Sequence, residues 1–332
     1  MRTIRYRDAL REAIREEMTR DTSVFIMGED IEDPFGGSYK VTKGLSTEFG
    51  KERVRNTPIS ELAIAGAALG AAITGMRPIA EIMYLDFTTL SIDQIVNQAA
   101  KIRYMSGGQV QVPLVIRTQE GSGNSSGAQH GQCLEAWYAH IPGLKVVMPA
   151  TPADAKGLLK ASIREDNPVV FIENKMLYNI KGEVSDKDEV LGIGKANIIR
   201  EGQDVTIVSY SRMVHESIKA ADSLLEEGIS AEIIDLRTIA PLDIDTILRS
   251  VAKTHRLVIA HEAVVNGGIG GEVAARVIKE GFDELDAPIE RVGSKASPLP
   301  FSPLLEKEIV CDFNDIVTAV QSIIPNAKEV TI

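Results

Sequence analysis

The sequence predicts an α/β protein built from two parallel-sheet domains. Two observations carry that expectation. From Val24 to Ile172, short apolar runs that read as buried strands alternate with stretches of helical spacing. Such alternation implies a parallel sheet with helices on both faces. The pattern then breaks over residues 174–200, which are charged and contain Gly182, Gly192 and Gly194, and it restarts at Asp204. The expected domains are 1–180 and 204–332, joined by a linker over 181–203. With 332 residues, 44% of them hydrophobic and 25% charged, each domain can bury a core of ordinary size.

The elements follow in order. Residues 6–18 place Tyr6, Leu10, Ala13, Ile14 and Met18 on one face, as an amphipathic helix does. Val24-Phe25-Ile26-Met27 reads as a strand, and Gly28-Glu29-Asp30 behind it as a turn or a ligand approach. Residues 31–43 form a long loop, a feature often tied to function. Asn56-Thr57-Pro58-Ile59-Ser60-Glu61 ends an extended segment and opens a helix, with Pro58 just before it and Ser60 as the N-cap. Leu62 to Gly75 carries no charge, which predicts a helix buried on every face. Glu61 at its mouth is either a solvated acid that favours the helix dipole or a partly buried acid set to exchange a proton.

Pro78 to Met83 reads as a strand, and Ser91 to Tyr104 as a helix that Gly107-Gly108 ends. Val112 to Arg117 is the next strand. The small-residue loop Gly121 to Gly131 delivers His130, either on the surface or on a mobile active-site loop that shuttles protons. No Gly-Lys-Ser/Thr follows, so this is no P-loop. Strands at 145–148 and 169–172 flank a helix at 152–165. In the second domain, strands at 206–208, 231–235, 256–260 and 288–292 alternate with helices at 213–227, 241–251 and 268–281. The run Gly267-Gly268-Ile269-Gly270-Gly271 lacks the dinucleotide register and its acidic partner, so close packing of a helix start or contact with a partner chain is expected there.

Composition removes several classes of function. A net charge of −11 leaves no basic footprint for nucleic acid or an anionic membrane surface. The stretch 62–75 is too short and glycine-rich to span a bilayer. No apolar run follows Met1-Arg2-Thr3-Ile4-Arg5, so no signal peptide is expected. Cys133 and Cys311 fit no metal or redox spacing and read as free thiols of a reducing compartment. A soluble, cytoplasmic protein is expected.

Seven motifs recur in register along the whole chain. They are Thr57-Pro58-Ile59-Ser60-Glu61, Arg77-Pro78-Ile79-Ala80-Glu81, Asp93-Gln94-Ile95, Arg103-Tyr104-Met105-Ser106-Gly107-Gly108, Gln129-His130, Ile141-Pro142-Gly143-Leu144-Lys145 and Pro300-Phe301-Ser302-Pro303. Together they resemble the beta subunit of the thiamine-diphosphate-dependent first component of 2-oxo acid dehydrogenase complexes. That family handles pyruvate, branched-chain 2-oxo acids or acetoin. The resemblance implies a pyrimidine-binding domain followed by a transketolase C-terminal-like domain. It implies thiamine diphosphate shared with an alpha subunit that holds Mg²⁺, in an alpha2-beta2 heterotetramer that passes its acyl unit to a lipoyl acyltransferase core. No Gly-Asp-Gly with a downstream Asn pair occurs here to grip the diphosphate, in keeping with a shared site.

The resemblance also implies residue roles. Glu61 would bond the pyrimidine ring nitrogen and share a proton there, and Phe87 would pack on the ring. His130 would steer protons during decarboxylation or acyl transfer, and Glu29 would lie near the cofactor. Leu114, Ser162, Ile163, Glu165 and Asn167 match a monovalent-cation (K⁺) site of backbone and side-chain oxygens. Arg237 and Glu262 are expected as polar contacts of the second domain. The sequence departs from the family pattern at Leu85, Glu120, Gly131 and Glu135. An extra acid facing the site would disfavour an anionic substrate. Two alternatives stay open beside a 2-oxo acid dehydrogenase: an acetoin-cleaving subunit, and a non-catalytic interaction subunit. A self-contained transketolase-type enzyme is disfavoured by the missing diphosphate motif and the short chain.

Overall fold

The computed structural model describes residues 1–324; residues 325–332, the end of the expected second domain, lie outside the described residues. The chain forms two compact units, one of residues 1–122 and 129–193, the other of residues 123–128 with the chain from Gly194 onward.

In the first unit the elements are β1 (Arg2–Arg5), α1 (Tyr6–Arg20), β2 (Val24–Gly28), α2 (Leu45–Phe49), β3 (Val54–Asn56), α3 (Glu61–Ile73), β4 (Arg77–Ile82), α4 (Ala100–Met105), β5 (Val115–Glu120), α5 (Glu135–Ala139), β6 (Lys145–Val147), α6 (Pro152–Arg164), β7 (Val169–Asn174) and β8 (Lys181–Val184). Strands of this unit pair in the order β6-β7-β5-β4-β2-β3, all parallel. Parallel strands need crossovers, so the strands carry apolar residues on both faces and helices cover them. Leu10, Ile14 and Met18 of α1 join Leu158, Leu159 and Ile163 of α6 and Val115, Val169 and Phe171 of the sheet in one core. Buried Glu17 of α1 accepts from Arg20 at 2.7 Å and from Arg164 of α6 at 2.6 Å.

In the second unit they are β9 (Asn197–Arg200), β10 (Val205–Ser209), α7 (Arg212–Glu226), β11 (Ala231–Asp235), β12 (Thr238–Ala240), α8 (Ile244–Thr254), β13 (Leu257–Val264), α9 (Ile269–Gly281), β14 (Glu290–Ser294), α10 (Pro303–Ile309) and α11 (Phe313–Ile323). A five-stranded sheet runs β14-β13-β10-β11-β9, parallel except for β9. The predicted α/β class therefore holds.

Four details differ from expectation. First, α3 is not buried all round: Leu62, Ala63, Ala67 and Ile73 are exposed while Ile64, Ala65, Ala68, Leu69 and Ala72 are buried. The sheet, the turn at 85–90 and the π-helical segment pack on α3 and leave Leu62, Ala63, Ala67 and Ile73 open. Second, the helix expected over 91–104 begins as a π-helix, Asp93–Ala99, and turns α only at Ala100. Third, the strand expected at Val112 starts at Val115, because Pro113 offers no amide to a ladder. Fourth, the expected linker carries β8, which pairs antiparallel with β1, and β9, which closes the second sheet. Within the second unit, Glu306 accepts from Gly123 N at 2.9 Å and from Ser125 N at 3.2 Å.

Candidate active site

Parallel strands bring the loops after their carboxyl ends to one edge of the sheet, where α/β proteins bind ligands. In the first unit β2 ends at Gly28-Glu29, β4 leads to Tyr84 and a 3-10 turn with Phe87, β5 leads towards His130, and β7 leads to Lys175. Four connections thus deliver chemistry to one edge.

Glu61 reaches that edge through a laced turn. Thr57 N donates to the Gly28 carbonyl at 2.9 Å. Asn56 and Glu32 clamp each other, each backbone amide donating to the other's side-chain oxygen at 3.1 and 2.9 Å. The start of α3 is therefore tied to the end of β2. Glu61 is only 6% exposed, so of its two expected settings the structure has the buried one. Gly28 allows the close approach: a Cβ there would stand 2.7 Å from the Glu81 carbonyl oxygen.

Four carboxylates, Glu29, Asp30, Glu61 and Glu81, influence one another here. Burial first, and then the charges of Glu61, Asp30 and Glu81, hold the Glu29 carboxyl above its ordinary value. Its Oε1 is buried without a hydrogen-bond partner. Beneath lies a fully buried ion triad. Arg117 Nη1 donates to Glu81, and its Nη2 donates to Glu173 Oε2 at 2.6 Å. Glu173 in turn accepts from the Tyr178 hydroxyl, and Tyr178 stacks on Tyr39 at 4.4 Å. Burial opposes the Arg117 charge, yet Glu173 and Glu81 carry its pKa above the usual arginine value. The guanidinium thereby ties Glu81, a neighbour of Glu29, to Glu173 on β7.

The second group is aromatic. Tyr84, Phe87 and His130 meet edge to face, with centroids 5.3 Å apart for Tyr84–Phe87, 5.1 Å for Tyr84–His130 and 5.2 Å for Phe87–His130. Lys175 Nζ donates to the His130 carbonyl and lies 5.4 Å from the Tyr84 ring. The next residues are pinned as well: Gln132 Nε2 donates to Asp86 at 2.8 Å. Thr88 and the buried Tyr138 phenol share a hydrogen bond, and burial pushes that phenol up to about 12. The turn that carries Phe87 packs on α3.

The structure thus joins Glu29 to Glu61, and Phe87 to His130. Sequence reasoning missed Glu81, Arg117, Glu173, Tyr84 and Lys175. A signal existed for the first three: charged residues inside apolar strand runs are rarely left unpaired. Lys175 sat in the stretch whose character change suggested a linker.

The expected cation ligands lie elsewhere, at the carboxyl end of α6. Leu114 O accepts from Val169 N at 2.9 Å, and Ser162 Oγ donates to Leu158 O at 2.8 Å. Arg77 donates to Ile163 O at 2.9 Å and to Glu165 O at 3.0 Å. Arg103 donates to Asn167 Oδ1 at 2.7 Å, and Lys145 pairs with Glu165 at 2.6 Å. Three side-chain cations, Arg77, Arg103 and Lys145, already sit on the oxygens of this helix end.

The departures Glu120 and Glu135 are both buried, with a ligand atom of each and Cys133 Sγ all within 4.8 Å of one another. Cys133 and Cys311 are free thiols, and burial pushes the Cys311 thiol up to about 12. In the second unit Arg212 pairs with Glu262 at 3.3 Å, and Arg237 N donates to Asp235 at 2.9 Å. Gly268 and Gly270 make room for His261: a Cβ at either would stand 2.6–2.9 Å from its ring. Close packing therefore explains the glycine run. His261 is fully buried, and burial drives its pKa down to about 4.

Residues 2–181 match the family model "Transketolase, pyrimidine binding domain", and residues 194–316 match "Transketolase, C-terminal domain". The chain is 50% identical over 317 residues to the pyruvate dehydrogenase E1 component subunit beta-2, mitochondrial, of Oryza sativa subsp. japonica, covering 94% of this chain and 84% of that one. It is 50% identical over 324 residues to the pyruvate dehydrogenase E1 component subunit beta of Rhizobium meliloti (strain 1021), covering 97% and 70%. Among solved structures it resembles "Split gene transketolase, inactive beta4 tetramer", with a TM-score of 0.81 at 24% identity over 96% of this chain and 98% of that one. That last likeness concerns the fold. Among the described residues, no helix is long and apolar enough to cross a membrane.

Proposed function

The chain belongs to the family of pyruvate dehydrogenase E1 component beta subunits, and from that premise we propose that it is the beta half of a thiamine-diphosphate-dependent pyruvate dehydrogenase. Its substrate is pyruvate, and the acyl unit passes to lipoamide on an acyltransferase core. The observation that carries this reading is Glu61, only 6% exposed, with the half-buried Glu29 beside it at the same sheet edge as the Phe87–His130 contact.

Thiamine diphosphate, when bound, supplies the nucleophilic carbon and the electron sink that decarboxylation of a 2-oxo acid requires. Glu61 is the residue that would hold the ring nitrogen of the pyrimidine and share a proton with it. Its place in the first turn of α3 suits a carboxylate, since the helix N-terminus favours negative charge. Phe87 offers a ring face or edge for the pyrimidine to pack on. His130 reaches a neighbouring proton position from the β5 loop. Burial and the neighbouring acids favour the protonated form of Glu29, whose Oε1 is its open polar atom.

These residues fit the pyrimidine half of a cofactor site. The diphosphate and Mg²⁺ fall to an alpha chain. The exposed apolar face of α3, Leu62, Ala63, Ala67 and Ile73, supports a partner there. Acetoin cleavage is the weaker reading, because the relatives quoted are named for pyruvate.

The test is co-purification with an alpha chain, followed by thiamine- and Mg²⁺-dependent dye reduction with pyruvate, 2-oxoisovalerate and acetoin. Glu61→Gln is expected to lower kcat by about 10²–10⁴-fold, the usual scale of a lost acid–base group. Full activity in Glu61→Gln, or activity of this chain alone, would overturn the shared-site reading.

A further inference from the structure

Lys175 is a lysine in a place lysines avoid. It is 5% exposed and directly follows β7. A buried ammonium must find acceptors, because leaving water is costly. Its Nζ donates to the backbone carbonyl of His130, on the loop from the neighbouring strand β5. The same ammonium lies 5.4 Å from the centroid of the Tyr84 ring. Tyr84 presents its ring to the His130 imidazole at 5.1 Å with planes at 74°. One cation therefore touches both the backbone of His130 and the ring that flanks its side chain.

We propose that Lys175, with Tyr84 as its intermediary, is the positioning residue that sets the aim of the His130 imidazole. The inference rests on His130 acting in the reaction proposed above. A loop rich in Gly and Ser does not hold a side chain by its own stiffness. Hydrogen bonding fixes the carbonyl, which fixes the peptide plane from which the His130 side chain departs. Tyr84 and Phe87 then close on the imidazole from two sides. Lys175 is not a catalytic residue in this scheme, since it acts through another side chain.

The test is a double-mutant cycle in the assembled enzyme, with substrate saturating. Lys175→Met is expected to lower kcat by between about tenfold and a hundredfold, the cost of a misaimed group, with KM changed by less than about twofold. The double variant His130→Gln/Lys175→Met is expected to be no slower than His130→Gln. Lys175→Arg, which keeps a charged donor, is expected to recover part of kcat. A merely structural lysine would give additive losses and no such recovery, and either result overturns the proposal. Should Lys175→Met fail to fold, Tyr84→Leu takes its place in the cycle and must show the same loss of additivity. Full activity of Glu61→Gln would count against the proposed function, whereas additivity at Lys175 counts against this inference only.

Discussion

At the residue scale, the charge of Glu29 is the sharpest consequence of the fold. Burial and the neighbouring Glu61, Asp30 and Glu81 favour its protonated form. An unfolded chain has a Glu near about 4.3. The stability from this group is therefore whole below that value and is lost as pH rises through the higher folded value. Glu29→Gln is expected to melt above the wild type at pH 8 and level with it at pH 4. Equal melting temperatures at both pH values would show that the folded environment does not disfavour the Glu29 charge. His261 has the opposite sense. Its folded pKa of about 4 lies below the usual histidine value, so its contribution is present above about 6.5 and falls away as pH drops towards 4. Residue types alone pointed to Glu61 and His130 as candidates. The raised carboxyl of Glu29 depends on neighbours 32 and 52 positions away in the chain, Glu61 and Glu81, and so lay outside any local pattern.

At the element scale, three adjacent strands share one ion triad. Glu81 of β4 stands opposite Arg117 of β5, and Glu173 of β7 lies two residues beyond Phe171, the residue opposite Arg117. Removing the central cation leaves two carboxylates buried without compensation, a loss of about 3–5 kcal/mol. Trp137 is the single tryptophan of the chain and lies in the first unit, so its fluorescence reports that unit's unfolding. Arg117→Met is expected to lower the urea midpoint read at Trp137; an unchanged midpoint would mean the triad carries little net stability. Strand runs such as Val169-Val170-Phe171-Ile172 were legible because apolar residues of that length bury on both faces of a parallel sheet. The charges at the end of such runs were visible too, but their pairing was not. Register across parallel strands is set by partners far apart in sequence. The π-helical start at Asp93 was invisible for another reason: its side chains repeat nearly as an α-helix's do.

At the scale of the whole molecule, α3 is the element that looks outward. Its charge-free sequence was read as burial on every face, yet Leu62, Ala63, Ala67 and Ile73 stand exposed. The pattern measured the helix's need for cover and not whether one chain supplies it. We expect Ala67→Arg to leave the melting of this chain unchanged within about 0.5 kcal/mol, and to abolish its co-elution with an alpha chain on size exclusion. Retained co-elution would place the partner elsewhere.

By itself, the sequence determined the α/β class, the alternation of the main strands and helices, and the identity of the family through seven motifs in register. These are properties of local periodicity and of residues close together in the chain. The tertiary structure alone decided what stands beside what. The order β7-β5-β4-β2 sets His130 between Tyr84 and Lys175, each about 45 residues distant along the chain. Strand order follows from which crossovers bury the most apolar surface together, a property of the assembled sheet that no single segment carries.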